Sequence, residues 1–400
     1  MNTSSQPSTL PDIAHMPEPV IAFAIEALTI GGAEQMLIVL ANEFALRGWQ
    51  VHLICLSQAG ELATQLEDSV QLHVLHKRRG IDVGLPRRVC RCIDQINPDV
   101  INSHLWVANA WIRLSLLARS IPVVVTEHSR DTWKPSGYRW IDKWLSRRTY
   151  RLVAVSHDTA VFYEHSIGVD KRLVSVINNG VDTERYAAGS GEILRQQWLN
   201  LSRSDVSDRR TPFLVGTVGR LVSAKNHQRL IDAVALLIKD DELADKHDIR
   251  LYIVGEGPER PRLERHIDQL GLNEQIVLAG LRHDIPDVLA AFDVFVLSSD
   301  REGHPLTALE AQAAGTPVVL TNAGGSADAI ASRNGQVGGV LVTQSKVALA
   351  DAIGQMVLDP RLCKERAQFA RAFALENFDK HQMIDRYEAV FRSAFENARL

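Results

Sequence analysis

Short runs that are apolar at nearly every position alternate with longer amphipathic segments, and that rhythm constrains this chain most. The runs are Val20–Leu28, Val51–Leu56, Val70–Leu75, Asp99–Ser103, Pro122–Thr126, Leu152–Val155 and Leu173–Ile177. Strands apolar on both faces suit parallel sheets covered on both sides. Between them lie stretches such as Ala33–Arg47, with Met36, Leu37, Leu40 and Phe44 on one helical face. Repeated strand–helix units predict a doubly wound α/β domain. The rhythm breaks over Tyr186–Pro212, a polar stretch with Gly189-Ser190-Gly191, which reads as a connector or exposed excursion. A second series follows at Phe213–Val218, Arg250–Val254, Gln275–Leu278, Asp293–Leu297 and Pro317–Leu320, with helices at Asn226–Ile238, Pro258–Leu270 and Leu306–Ala314. Val347–Leu358, Arg361–Leu375 and His381–Ala398 also read as helices.

The expected organisation is therefore a loose tail over 1–18, a first domain over 19–185, a linker over 186–212 and a second domain over 213–375. A terminal helix over 376–400 could pack back on the first domain. Two such domains facing each other make a cleft, the usual place for a ligand. A chain of 400 residues has room for this. A net charge of −4 gives no sign of a nucleic-acid binder. Cys90 and Cys92, two of only four cysteines, are separated by one residue, so no zinc, redox or disulfide framework is implied. Met1–Pro19 has no basic stretch leading into an apolar core, and Val20–Leu28 is too short to cross a bilayer and is broken by Glu26. The expectation is a cytoplasmic protein, neither exported nor membrane-spanning.

In an open parallel sheet, ligands bind beyond the carboxyl ends of the strands. The first such turn, Ile30-Gly31-Gly32-Ala33-Glu34, lets backbone approach a ligand, and a helix starting at Ala33 would aim free N–H groups at an anion. Alone, the Gly-Gly pair reads as a tight turn. After the next relevant run come Gly219, Arg220 and Lys225; the two cations flank a strand-to-helix turn where a diphosphate would gain two charges and a helix end. Solvated surface cations are the plainer reading. A third segment runs from Asp300 to Glu310. Gly303 and Pro305 put Glu302 in a loop and start a helix near Leu306, with Glu310 one turn into it. Each carboxylate can accept two hydrogen bonds from a vicinal diol. Either acid alone would be a cap or an exposed helix residue; the pair at this spacing suits a nucleotide-sugar.

Gly31-Gly32-Ala33-Glu34, Asn179-Gly180-Val181-Asp182, Gly219-Arg220 with Lys225, Val254-Gly255-Glu256-Gly257-Pro258 and Glu302 through Glu310 together resemble the retaining GT-B glycosyltransferases of family 4. The resemblance implies two Rossmann-like domains facing across a cleft, the first for the acceptor and the second for the donor. It implies that Arg220 and Lys225 neutralise the donor diphosphate, that Glu310 holds the ribose, and that Glu302 meets the transferred sugar. Gly303, His304, Pro305, Leu306 and Thr307 would line the sugar and phosphates. His128 would face the sugar from the first domain, while Gly31 and Gly32 close over the donor. His304 departs from the aromatic or aliphatic residue that the family often carries. The GT-B expectation covers Gly31 to Glu310 and brings no cofactor beyond the donor.

Fourteen histidines include His104, His128 and His157 after apolar runs, but no His-Glu-x-x-His or similar spacing exists, and no metal site is expected. His104 and His157 read as polar strand ends or helix caps. Without an Asp-x-Asp after a strand, arginine and lysine should balance the diphosphate. Lys77-Arg78-Arg79 with Arg87, Arg88 and Arg91, and Arg139–Arg151 with Trp140, Trp144 and Tyr150, suit an anionic membrane surface or a solvated helix face. The expected activity is transfer of a hexose or N-acetylhexosamine, from a UDP-sugar by preference, to a glycan or polyprenyl-linked acceptor in cell-surface polysaccharide synthesis. Peripheral contact with the inner face of the cell membrane would fit. Two rivals share the architecture: a sugar-nucleotide epimerase and a non-enzymatic bilobal sugar-binding protein. An NAD-dependent oxidoreductase fails because Arg260 stands where Gly-x-Gly-x-x-Gly needs its third glycine.

Overall fold

The computed structural model describes residues 18–132, 134–202 and 210–399. A first sheet is built from β1 (Val20–Ala27), β2 (Gln50–Gln58), β3 (Gln71–Val74), β4 (Val100–His104), β5 (Val123–Glu127), β6 (Arg151–Ala154) and β7 (Val174–Val176). Its order is β3-β2-β1-β4-β5-β6-β7, with every pairing parallel. Alternation in β1 shows why the apolar runs were needed. Ile21, Phe23 and Ile25 pack with Met36, Leu37, Leu40 and Phe44 of the helix Gly32–Leu46. Ala22 and Ala24 face the other way, toward the helices Leu85–Ile96 and Leu105–Ser115.

The second sheet contains β8 (Thr211–Val218), β9 (His247–Val254), β10 (Ile276–Gly280), β11 (Val294–Leu297) and β12 (Val318–Thr321). After a small hairpin, β13 (Ser332–Arg333) with β14 (Gln336–Val337), the chain adds β15 (Gly339–Val342) at the sheet edge, a strand beyond the runs named from the sequence. The order is β10-β9-β8-β11-β12-β15. In both sheets the winding reverses beside the first strand, between β1 and β4 and between β8 and β11. Such a reversal splays the connecting loops apart and leaves a crevice at the strands' carboxyl ends.

The segment read as a connector is not an exposed excursion in its first part. Glu192–Ser202 is a helix. Leu194 and Trp198, one turn apart, are buried against the second domain, and Trp198 stacks on Tyr252 with ring centroids 4.2 Å apart. The rest of that segment, 203–209, and the tail over 1–17 lie outside the described residues.

The closing helix, Lys380–Arg399, returns to the first domain, where Met383, Ile384, Tyr387 and Phe391 join the core around Phe23 and Phe44. The chain thus crosses between domains twice, and the crossings touch. Val181 N–H donates to the Phe378 carbonyl at 2.8 Å, and Lys380 N–H to the Val181 carbonyl at 2.9 Å. Gly180 is required here, because a Cβ would come within 2.7 Å of the Lys380 backbone.

Candidate active site

The crevice in the second domain is shaped by backbone. Gly219 N–H donates to the Val254 carbonyl and Leu221 N–H to the Glu256 carbonyl, each at 2.9 Å. Gly255 makes this possible: it has φ +140°, and a side chain would strike the Gly219 carbonyl. The following turn, Ser223–Lys225, is pinned from below by Ser298, whose hydroxyl contacts the Lys225 and Asn226 carbonyls at 3.1 and 2.9 Å. Asn226 takes a left-handed conformation, caps the helix His227–Ile238 and donates to Asp300, which also pairs with Arg229 at 2.6 Å. These supports deliver Lys225 to Glu302. Its Nζ lies 2.7 Å from Glu302 Oε1, and the Ser299 hydroxyl donates to the same oxygen at 2.5 Å. Ser298, Ser299, Asn226 and Asp300 escaped the sequence reading, although an Asn before a helix is a recognisable cap.

Glu302 N–H donates to the Ala323 carbonyl, and the next residue, Gly303, packs directly on the His128 carbonyl of the first domain. Pro305 occupies the cap position of the helix Leu306–Ala313 and offers no side-chain cap, so the first N–H groups lack that partner. Leu306 touches the cores of both domains, and a Cβ on Gly32 would lie 3.8 Å from it. Thr307, next in the helix, is half-buried. His304 is 4% exposed; its ring is enclosed, with Nε2 3.3 Å from the Asp328 carbonyl, and burial pushes it down to about 4. Its own carbonyl accepts from Asn179 of the crossover at 2.9 Å. Glu310 is half-buried, and burial pushes its carboxyl up to about 7 against the opposing pull of the Tyr186 hydroxyl and Arg185.

Across the cleft, the helix Gly32–Leu46 departs from its expected reading. Its N-terminus does not wait open for an anion, because Glu34 curls back over Gly31 toward it, where a side chain on Gly31 would collide with the carboxylate. A glutamate at the third helical position reaches the cap in this way. The Thr29 hydroxyl donates to it at 3.3 Å. Burial raises the Glu34 carboxyl, while its own backbone, Thr29 and the positive Arg220 of the other domain oppose the rise. Arg220 is exposed.

His128 follows β5 directly and is not isolated. Its Nε2 lies 2.9 Å from Nδ1 of His104, whose Nε2 lies 2.6 Å from Asn102 Oδ1. His104 ends β4 but makes no side-chain cap, so the strand-end reading missed its contact with His128. The available signal was Asn102 and His104 at period two, on one face of a strand buried at every position. His157, by contrast, is exposed and meets Asp328 of the second domain through its N–H and ring. Among the described residues no group of three or more His, Cys, Asp or Glu is placed to hold a metal ion.

Comparison with known proteins agrees with this geometry. Residues 202–373 match the family model described as glycosyl transferases group 1, and residues 30–185 the one described as Glycosyltransferase Family 4. An Escherichia coli UDP-Gal:alpha-D-GlcNAc-diphosphoundecaprenol alpha-1,3-galactosyltransferase is 29% identical over 70% of this chain and 73% of its own. A D-inositol 3-phosphate glycosyltransferase of Salinispora tropica is 28% identical over 90% of this chain and 81% of its own. In fold, the chain is similar to Anabaena HepE, solved with UDP, at a TM-score of 0.79 and 24% identity over 94% of this chain and 100% of that one. With both halves matched in order and two doubly wound domains closing on one cleft, the chain belongs to the family 4, group 1 glycosyltransferases of GT-B fold and is a transferase.

Proposed function

We propose that the protein moves a hexose or N-acetylhexosamine from a UDP-sugar to a hydroxyl of a glycan or polyprenyl-linked acceptor, with retention at the anomeric carbon. The observation that carries this reading is the Lys225–Glu302 pair at the reversal point of the second sheet, beside Gly303 and Leu306, which meet His128 and Gly32 of the first domain. A diphosphate entering there meets Arg220, Lys225 and the N–H groups that begin the helix Leu306–Ala313. Stabilising charge on the departing diphosphate should be the largest catalytic contribution. Lys225 would then bridge phosphate and Glu302, leaving the Glu302 carboxylate to accept from sugar hydroxyls. Glu310, one turn deeper, suits the ribose diol. The acceptor oxygen forms its bond to the anomeric carbon as the bond to phosphate breaks. The acceptor proton passes to the departing diphosphate on the same face. Glu302 is unsuited to a separate base role, since Lys225 and Ser299 already engage it. No metal is required in this scheme.

The UDP preference is supported by the E. coli relative's UDP-Gal donor and by the UDP bound to HepE. That relative's acceptor is diphosphoundecaprenol-linked, and the first domain offers matching chemistry. A groove of about 720 Å³ is lined in part by His76, Arg78, Arg88 and Arg91. Beside it, Ile81 and Val83 are each 87% exposed on a loop tip. No described helix is long and apolar enough to cross a membrane. Peripheral contact through this basic, apolar-tipped edge is part of the proposal. Arg88 is not free for it, because it pairs with Asp82 at 2.5 Å and donates to the Leu75 carbonyl. Tyr150 is also committed, to Ser393 of the closing helix.

Incubation with a panel of nucleotide-sugars and lipid-linked or glycan acceptors, with nucleoside diphosphate release and the product's anomeric coupling read together, tests this. UDP release with an α-product from an α-donor is expected, and EDTA should leave it unchanged. Inversion, release of a free epimerised donor, or turnover restored only by a divalent ion would overturn the corresponding part.

A further inference from the structure

The first domain holds a chain of three polar side chains whose chemistry has only one consistent set of proton positions. Asn102 Nδ2 lies 3.2 Å from the Val124 carbonyl and 3.0 Å from the Thr126 hydroxyl. A carbonyl can only accept, so the amide nitrogen must face it, and Oδ1 must face His104. Oδ1 in turn can only accept, so at 2.6 Å His104 Nε2 carries the hydrogen. His104 is wholly buried among Phe23, β4 and the chain leading to His128, with no carboxylate within reach of its ring nitrogens among the hydrogen bonds described, and burial holds it neutral. A neutral imidazole with its proton on Nε2 has a lone pair on Nδ1. That lone pair faces His128 Nε2 at 2.9 Å, so His128 donates there. Burial keeps His128 neutral as well. Its remaining nitrogen, Nδ1, is therefore an acceptor.

We infer that Asn102 and His104 are positioning residues that lock His128 in its Nε2–H form, so that Nδ1 accepts a hydrogen bond from a hydroxyl of the sugar being transferred. The inference rests on the proposed placement of His128 at the sugar. It deepens that reading by assigning the direction of the hydrogen bond and two residues that set it. The reason for a buried relay is directional. A hydroxyl can donate or accept, so either tautomer could bind it, but only the Nε2–H form obliges the hydroxyl to donate to Nδ1 and thereby fixes where its hydrogen points. The main-chain carbonyl of Val124 cannot change roles, and through Asn102 and His104 that constraint reaches the cleft. His128 is also where the domains meet, since its carbonyl packs on Gly303, next to Glu302.

Nitrogen-15 NMR of the histidine rings in the full-length protein, with UDP and without it, is the direct test. A protonated Nε2 and an unprotonated Nδ1 are expected for His128 in the unchanged protein. His104→Phe keeps a ring in the same apolar surroundings but removes the acceptor, and His128 should then show a tautomer mixture. Turnover should fall about 10–100-fold, the range found when the partner that orients a metal-binding imidazole is lost, with UDP affinity unchanged. His104→Gln carries an amide oxygen for His128 and an amide nitrogen for Asn102, and it should recover the Nε2–H signature and part of the turnover. A wild-type His128 protonated at Nδ1 would overturn the inference, as would normal turnover in His104→Phe. If no nucleotide-sugar is turned over, the proposed function fails; the NMR result still decides whether the lock exists. Should His104→Phe fail to fold, Asn102→Ala supplies the same tautomer and turnover readouts.

Discussion

Lys225 and Glu302 hold each other across 77 positions of sequence, so changing either leaves a partly buried charge without its partner. Lys225→Ala and Arg220→Ala should each lower turnover by about 10²–10³. Melting temperature should stay close to that of the parent in Arg220→Ala, because Arg220 is exposed, and should fall in Lys225→Ala, because the largely buried Glu302 loses its partner. Kinetics on the folded variants check this, and near-normal turnover in both would remove the diphosphate from this place. Glu310 couples function to pH. Its folded carboxyl holds a proton up to about 7, whereas an ordinary one releases it near 4.5. The folded state therefore binds more protons between those values, and stability must fall as pH rises through that window. Glu310→Gln should raise stability at pH 8 by about 1–3 kcal/mol, at about 1.4 kcal/mol per tenfold change in proton affinity, with a correspondingly higher melting temperature, and give no gain at pH 4. The same variant should weaken UDP binding at pH 8, and the parent's affinity should lose that advantage as pH drops below 7. Calorimetric titration at both pH values reads the outcome; equal UDP affinity in parent and variant at pH 8 would separate Glu310 from the nucleotide. Glu302 and Glu310 were legible because Gly303 and Pro305 punctuate the chain around them. The back-folded Glu34 was not, since the same Gly-Gly-Ala-Glu letters describe an open helix end equally well.

Strands covered by helices must be apolar on both faces, and the twelve apolar runs read from the sequence coincide with β1 to β12, the partly exposed edge strands β3 and β7 included. The strand β15, Gly-Val-Leu-Val, is four residues long and as apolar as the others, but it opens on the glycine pair Gly338-Gly339, which reads as a turn. The helix Glu192–Ser202 was hidden for a different reason: Leu194 and Trp198 make a narrow stripe among polar residues. The closing helix was visible as a helix, but its destination depended on aromatic packing far away in sequence. Phe391 sits 5.2 Å from Phe44 and 6.1 Å from Phe23, ring centre to ring centre. Phe391→Ala should cost about 3–5 kcal/mol and lower thermal unfolding of the first domain by about 10 °C. UDP affinity, which the proposed function places in the other domain, should change little. A calorimetric scan with unchanged transitions would mean the helix is not part of that core.

At the scale of the molecule, the domains meet through Gly303 on His128, Asn179 on the His304 carbonyl, and Asp328 on the His157 N–H. Charge is arranged around this cleft and also outside it. Arg87 and Arg91 are exposed near the Ile81–Val83 tip, and Trp140 is 66% exposed on the helix Ser136–Leu145. Each basic residue near an anionic bilayer contributes about 1 kcal/mol within a Debye length. The protein should sediment with anionic vesicles at low salt, much less at high salt, and little with neutral ones. Arg87→Ser with Arg91→Ser should reduce that binding without changing UDP affinity. Sedimentation indifferent to salt and to both substitutions would leave this edge as an ordinary solvated surface.

The two crossings that lie hydrogen-bonded side by side at Val181 and Phe378–Lys380 give the protein an unusual modularity. The described residues between Thr183 and Asn377 leave the first domain and return to it through one narrow neck, so the half proposed to hold the nucleotide is a cassette spliced into its host. Exchanging that cassette between relatives would redraw which sugar is supplied while leaving the host's aromatic core and its closing helix in place. Diversification of such transferases can then proceed on two tracks, donor and recipient, that must agree at the neck and where Gly303 and Asp328 meet His128 and His157 of the host.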